Sequence, residues 1–290
     1  MAQAIDMSVI EQALNGFTIP PQPEILQHIQ QQLDAPNPNI KRIAALINLD
    51  IGIAGFTLKV VNSAFFGLRQ KITSVEHACK FLGVNRVIKL VRSVLLRFTL
   101  AEGQSDKFTL KLWASALHCG NTAMTLARHF NFPQAVQDDC YSLGMFHNAG
   151  IALIHQQTQQ YSQIMQQGLQ AMRGYSEIEE QHFHTCHEVL GYLIAESWSL
   201  TPELCNVIAY HHSPLLMLES DSELEKQLFA LLKLAEHFCG ESRQLFELSL
   251  DPEWEQHKAA ILEVLDLEPL QLPELAELLH HQQISTIYAV

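Results

Sequence analysis

The 290-residue chain is 48% apolar and 17% charged, a globular composition that excludes disordered and fibrous classes. Its formal net charge of −13 is uneven: residues 1–100 carry ten Lys/Arg against six Asp/Glu, and residues 101–290 eight against twenty-five. That acidity argues against general coating of nucleic acid and leaves room for a local basic face in the first hundred residues. No apolar run approaches the ~20 residues that cross a bilayer. The N-terminal MAQAIDMSVI lacks the basic start and apolar core of a signal peptide. Cys79, Cys119, Cys140, Cys186, Cys205 and Cys239 stand far apart with no C-x-x-C pair. Reduced, mostly buried thiols and a cytoplasmic location are expected, and zinc-ribbon or thioredoxin-like folds are not.

In chain order, PEILQHIQQQL opens with Pro23 in a first-turn position and spaces Ile25, Leu26, Ile29 and Leu33 on one helical face. Thr73 and Glu76 form a candidate capping box before HACKFL, and Gly83 can end that helix. Residues 84–100 carry the most regular pattern. At 100° per residue Val87, Ile88, Leu90, Val91, Val94, Leu95 and Phe98 share one arc. Arg86, Lys89, Arg92 and Arg97 lie opposite, with Leu96 among them. A solvated face accounts for most such charge runs; docking of an acidic partner or a nucleotide phosphate is the functional alternative. The stretch 156–170 contains eight glutamines, yet Tyr161, Ile164 and Met165 keep helical spacing and predict a surface helix. Pro133, Pro202, Pro252 and Pro273 suit first turns, and Thr201 and Asp251 suit N-caps. The polar ESDSELEK at 219–226 starts a further helix. No segment alternates like a strand. The expected fold class is all-α.

Fifteen histidines supply the candidate chemistry. His147 precedes Asn148 in SLGMFHNAG. His182, His184 and His187 cluster in QHFHTCHEVLG, with His184 and His187 placed on one helical face. His211 and His212 adjoin in VIAYHHSP, and Glu236 lies in LLKLAEHFC. Neutral imidazoles with a carboxylate suit zinc, iron, manganese or nickel, although a single histidine is more often a core or surface residue. Phosphate-loop, dinucleotide, H-E-x-x-H and G-x-S-x-G motifs are absent. No one Cys–His pair is singled out as a nucleophile.

The run PPQPEILQHIQQQL, then INLDIGIAGFTLKVVNSAFFG, then ITSVEHACKFLGVNRVIKLV resembles the N-terminal half of an HDOD domain, a branch of the HD phosphohydrolase superfamily related to the HD-GYP type. Leu112-Trp113, GMFHNAG, HEVLGYLIAESWSL and YHHSP continue the resemblance to about residue 215. It implies two helical lobes: an N-terminal helical bundle at 17–105 and an HD-like helical part at 106–215. A C-terminal helical extension at 216–290 follows. In catalytic relatives a histidine, a His-Asp pair and a distant aspartate hold metal that activates water on a phosphoester. Carried over, His147 is the histidine of the pair, His187 the next, and His211-His212 the pair after that. Glu236 takes the place of the final aspartate.

The departures are specific. Asn148 stands for the aspartate, and a neutral amide cannot bridge two cations. Ala114, Ser115 and Ala116 occupy the place of the first histidine. Ile151 replaces a frequent lysine, and the G-Y-P signature is missing after His212. Losing an anionic ligand weakens metal affinity and transition-state stabilisation together. The leading expectation is therefore a non-catalytic signal-transduction or regulatory module with protein partners in a bacterial pathway, no membrane and no required cofactor. A metal-dependent phosphohydrolase of altered ligand set, holding one divalent ion through His147, His187, His211, His212 and Glu236, is the alternative. Nucleotide or nucleic-acid binding through Arg86, Lys89, Arg92 and Arg97 is a third.

Overall fold

A computed structural model describes residues 10, 14, 16–63, 66, 68 and 70–281. Ala64, Phe65 and Gly67 of the VNSAFFG run lie outside the described residues. Among the described residues the regular elements are all helices, and no strand occurs. No single described helix is long and apolar enough to cross a membrane. The six cysteines are free and buried.

The chain forms two units, one built on Pro21–Thr99 and the other on Leu100–Leu279. The first contains α1 (Glu24–Leu33), α2 (Ile40–Ile47), α3 (Ile51–Val61), α4 (Val75–Leu82) and nearly all of α5 (Val84–Leu100). The Asn62 side chain organises its centre. Asn62 Nδ2 donates to Leu58 O at 2.8 Å and Ile72 O at 2.7 Å, and its Oδ1 accepts from Ile72 N at 2.7 Å. This amide completes backbone groups that a loop would otherwise leave unpaired. The cap of α4 is Ser74, whose Oγ accepts from His77 N at 3.1 Å, one residue beyond the expected Thr73. Gly83 ends the helix at φ 90°, a conformation that favours glycine.

On α5, Val87, Ile88, Leu90, Val91, Val94 and Leu95 are buried as expected, whereas Phe98 is 46% exposed and Leu96 is buried. Arg86, Lys89, Arg92 and Arg97 are half-buried, and Arg97 packs 4.9 Å over the Phe56 ring. The expected solvated face is thus partly covered, because burial on this helix extends beyond one apolar stripe.

The second unit contains α6 (Lys107–His129), α7 (Gln134–Phe146), α8 (Ala149–Gln157), α9 (Tyr161–Gln170), α10 (Tyr175–Phe183) and α11 (His187–Ser197). It continues with α12 (Pro202–Tyr210), α13 (Pro214–Leu218), α14 (Glu223–Cys239), α15 (Glu241–Phe246) and α16 (Pro252–Val264). After a 3₁₀ turn, α17 (Leu272–His281) ends the described chain. The 23-residue α6 is the spine, packed by α7, α14 and α15; α14 belongs to the same unit as the HD-like helices. Trp113, Trp198, Tyr141, Tyr161, Phe146 and Phe229 are the largest fully buried side chains of its core. Each contributes roughly 1.5–3 kcal/mol by burial. The glutamine-rich stretch is divided: Gln156 and Gln157 end α8, and Tyr161–Gln170 forms α9 with Tyr161, Met165 and Leu169 buried.

Asp106 starts the spine. Its Oδ1 accepts from Phe108 N and Thr109 N at 2.9 and 3.1 Å, its Oδ2 accepts from Thr109 Oγ1 at 2.6 Å, and His155 Nε2 lies 3.1 Å from Oδ1. Partial burial opposes ionisation, but the Thr109 and His155 bonds win and hold the carboxyl at about 2. This contribution is present above the ordinary value of 3.8 and is lost as the pH falls through about 2. Asp106→Ala is expected to cost about 1–2 kcal/mol in urea unfolding at neutral pH. A midpoint equal to that of the wild type would show that the cap does not hold this helix.

Candidate functional site

His147 closes α7 and Asn148 opens α8. His147 Nδ1 lies 2.9 Å from Gly144 O. A carbonyl only accepts, so Nδ1 carries the proton and Nε2 faces inward. There it meets Glu241 Oε1 at 3.2 Å and Glu236 Oε1 at 3.8 Å. Burial disfavours a charged imidazole, but Glu241 outweighs it and raises the His147 pKa.

Glu241 was not among the residues singled out from sequence. It begins α15 immediately after Gly240, which sits at φ 63°. Its Oε1 accepts from Asn148 Nδ2 at 2.7 Å, and its Oε2 accepts from Ser115 Oγ at 3.2 Å. One carboxylate thus binds both positions where ligands are missing, the amide at 148 and the hydroxyl at 115. Burial opposes its ionisation, yet His147 and Asn148 lower its pKa. Asn148 Oδ1 and Glu236 Oε1 are buried without a hydrogen-bond partner. The Cys119 thiol is also close to His147 and Glu241, but burial pushes its pKa well up and keeps it neutral.

His187, His211 and His212 form a second group whose ligand atoms lie within 4.8 Å of one another. Each turns Nδ1 outward: His187 to Glu179 Oε2 at 2.8 Å, His211 to Ile208 O at 2.7 Å, and His212 to Glu253 Oε2 at 2.7 Å. His187 Nε2 and His211 Nε2 then face each other at 3.1 Å. Either a proton or a cation must lie between two such lone pairs. Burial alone would lower the His187 pKa, but Glu179 and Glu188 carry it up to about 9. Burial and neighbouring charges drive His211 and His212 well below the ordinary value. Tyr175 stacks on His212 at 4.0 Å between ring centroids.

Lys233 links the two groups. Its Nζ lies 3.0 Å from Glu236 Oε2 and 2.6 Å from Glu253 Oε1, with the Lys233 side chain 5% exposed. Burial opposes that charge, and the two carboxylates overcome it. Burial pushes the Glu236 carboxyl up to about 7 despite Lys233. A cleft of about 210 Å³, lined in part by Glu236, Glu241, Arg243, Asp251 and Glu255, opens beside the cluster.

The structure therefore gathers His147, His187, His211, His212 and Glu236, and places Asn148 beside them. His182 and His184 are exposed. His184 ends α10 in the left-handed region at φ 58°, whereas His187 begins α11; the expected shared helical face does not exist. Arg86, Lys89, Arg92 and Arg97 belong to α5 and are not part of this cluster.

Comparison with known families matches residues 19–214 to the HDOD domain. The chain belongs to the HDOD domain family. An uncharacterized protein of Treponema pallidum (strain Nichols) is 28% identical over 200 residues, covering 67% of this chain and 38% of that protein. The chain thus spans well under half the length of this relative. An HDOD domain protein of unknown function from Geobacter sulfurreducens has a TM-score of 0.73 at 20% identity, over 98% of this chain and 99% of that one. A protein from Shewanella amazonensis SB2B, provisionally named a metal-dependent phosphohydrolase, has a TM-score of 0.71 at 17% identity, over 97% and 96% of the two chains. These structures share the all-helical HDOD fold.

The HDOD fold raises the question of metal, and the donor set answers it in part. His187, His211 and His212 have the arrangement of ligating imidazoles, each with its outer N–H held by an oxygen acceptor. A separation of 3.1 Å between two Nε2 atoms suits one ion at ~2.0–2.1 Å from each. Such an ion would supply Lewis acidity and a polarised water. Asn148 does not fit as a bridging ligand, since its amide nitrogen is turned to Glu241.

Proposed function

We propose that this HDOD chain is a non-catalytic regulatory module of the bacterial cytoplasm that acts through protein partners. The observation supporting this reading is the engagement of both altered positions by Glu241, through Asn148 Nδ2 and Ser115 Oγ. The polar groups that replace a bridging aspartate and a first histidine are thus consumed internally, and no carboxylate of α8 remains to bridge two cations. The neighbouring cleft also presents Glu236, Glu241, Asp251 and Glu255 against Arg243. Such a lining repels a phosphate and stabilises no developing negative charge.

A phosphohydrolase of altered ligand set is the second reading, favoured by the convergence of His187, His211 and His212. One assay separates the two. With added Mn²⁺ or Fe²⁺, hydrolysis of cyclic nucleotides and cyclic dinucleotides is expected to stay at background, and Asn148→Asp alone is expected not to restore it. Turnover that His147→Ala abolishes would overturn the non-catalytic reading.

A further inference from the structure

We propose that the groove between α1 and α2 is where a second copy of this chain docks, through the acidic, leucine-bearing turn that precedes its α17. The proposal concerns assembly and does not depend on whether the chain turns over a substrate. Neither the groove nor the turn belongs to the histidine cluster.

The groove measures about 520 Å³. Arg42, Ala45 and Leu46 of α2, and Leu49 just beyond it, line one wall at the i, i+3, i+4, i+7 spacing of a single helical face. His28 and Gln32 of α1 stand on the other. This face does not build the core, because Ile43, Ala44 and Ile47 already supply a buried stripe on α2. Asn39 Oδ1 accepts from Lys41 N and Arg42 N at 3.0 and 3.3 Å and fixes the turn that carries Arg42. Leu49 is 79% exposed, and Ile51 at the start of α3 is 87% exposed. Two neighbouring large apolar side chains left in water beside a groove mark an interaction surface.

The complementary element lies on the same chain. Leu270 is 91% exposed, more than any other large apolar side chain among the described residues. It is held out on a closed 3₁₀ turn. Pro269 sets the first backbone angle of that turn. Glu268 N donates to Gln271 Oε1 at 2.7 Å, and Gln271 N donates to Glu268 O at 2.9 Å. A side chain presented on so constrained a turn loses little freedom on docking. Glu263, Asp266, Glu268, Glu274 and Glu277 flank it, with no Lys or Arg after Lys258.

Charge selects the occupant. Arg42 and His28 line the groove, and no carboxylate does. The imbalance extends beyond the groove: residues 1–100 carry ten Lys/Arg against six Asp/Glu, and residues 101–290 eight against twenty-five. The acidic turn of one copy and the groove of another therefore meet with opposite fields, which favours encounter and fixes register. Groove against groove sets Arg42 beside Arg42, and turn against turn sets carboxylate beside carboxylate; both arrangements repel.

Sedimentation velocity of the full chain between about 1 µM and 1 mM tests the proposal. The wild type is expected to associate as concentration rises. Leu49→Asp spoils the groove and Leu270→Asp spoils the turn; both positions are exposed, so both variants are expected to fold by circular dichroism. Each alone is expected to associate at least about tenfold more weakly, the loss of one buried leucine. Mixed, the two are expected to form a one-to-one pair, since one copy keeps its turn and the other its groove. Should Leu49→Asp fail to fold, Arg42→Glu is read in its place with the same expectation. A wild type that stays monomeric across this range overturns the proposal and leaves the groove to a different protein. Association that either variant retains in full overturns it too, as does a mixture that gives no pair. Phosphodiester turnover sinks the non-catalytic reading alone.

Discussion

Glu179→Ala is expected to destabilise the metal-free protein by about 3–5 kcal/mol, measured by urea unfolding near pH 6. Glu179 is fully buried at 0% exposure. Its Oε1 accepts from Tyr161 Oη, and its Oε2 accepts from the backbone N–H and the ring N–H of His187. Alanine removes the acceptor of three buried donors and the counter-charge of a buried imidazolium together. The pH dependence separates these losses. His187 is raised from 6.5 to about 9 in the fold, burial being outweighed by Glu179 and Glu188. A raised folded-state pKa stabilises fully below the unfolded value, and that share is lost as the pH rises through about 9. The gap between wild type and variant is therefore expected to narrow from pH 6 to pH 10 without closing, since the hydroxyl and backbone donors stay unpaired. A gap independent of pH would show that His187 is not held as a cation.

The helical periodicity of residues 84–100 located α5 at its observed bounds, Val84–Leu100, because a 3.6-residue pattern is a local property. The same rule misassigned Leu96 and Phe98, since it assumes a single buried stripe. Prolines and caps were legible to within a residue, as Ser74 in place of Thr73 illustrates. The histidines of the cluster were legible through motif order, which encodes the positions of helix junctions. Glu241 was not. Its contacts with His147, Asn148 and Ser115 span 93 to 126 residues and depend on how α15 lands on α6, which no local pattern states. The one local sign is glycine at 240, freeing a left-handed turn immediately before an acidic first residue. The break between His184 and His187 was equally hidden, because it rests on a non-glycine residue at φ 58°.

Gly144→Ala is expected to cost about 1–3 kcal/mol, the range that overpacking typically causes, whereas Gly55→Ala is expected to gain about 0.4–1 kcal/mol. Both lie inside helices, where alanine is favoured over glycine by about 1 kcal/mol, so propensity gives them the same sign. Space decides otherwise. A Cβ on Gly55 meets nothing within 4 Å. On Gly144 it would meet Gly120 Cα and N at 2.4 Å and Cys119 C at 2.8 Å, all of them backbone atoms of α6. No rotamer relieves that contact; α7 itself must move from α6. The shift also displaces the carbonyl of Gly144, which holds His147 Nδ1, and with it the direction of Nε2 towards Glu236 and Glu241. Gly144→Ala is thus expected to lower the unfolding midpoint, while Gly55→Ala raises it. Equal midpoints for the two variants would show that the α6–α7 crossing tolerates a methyl group and does not set the position of His147.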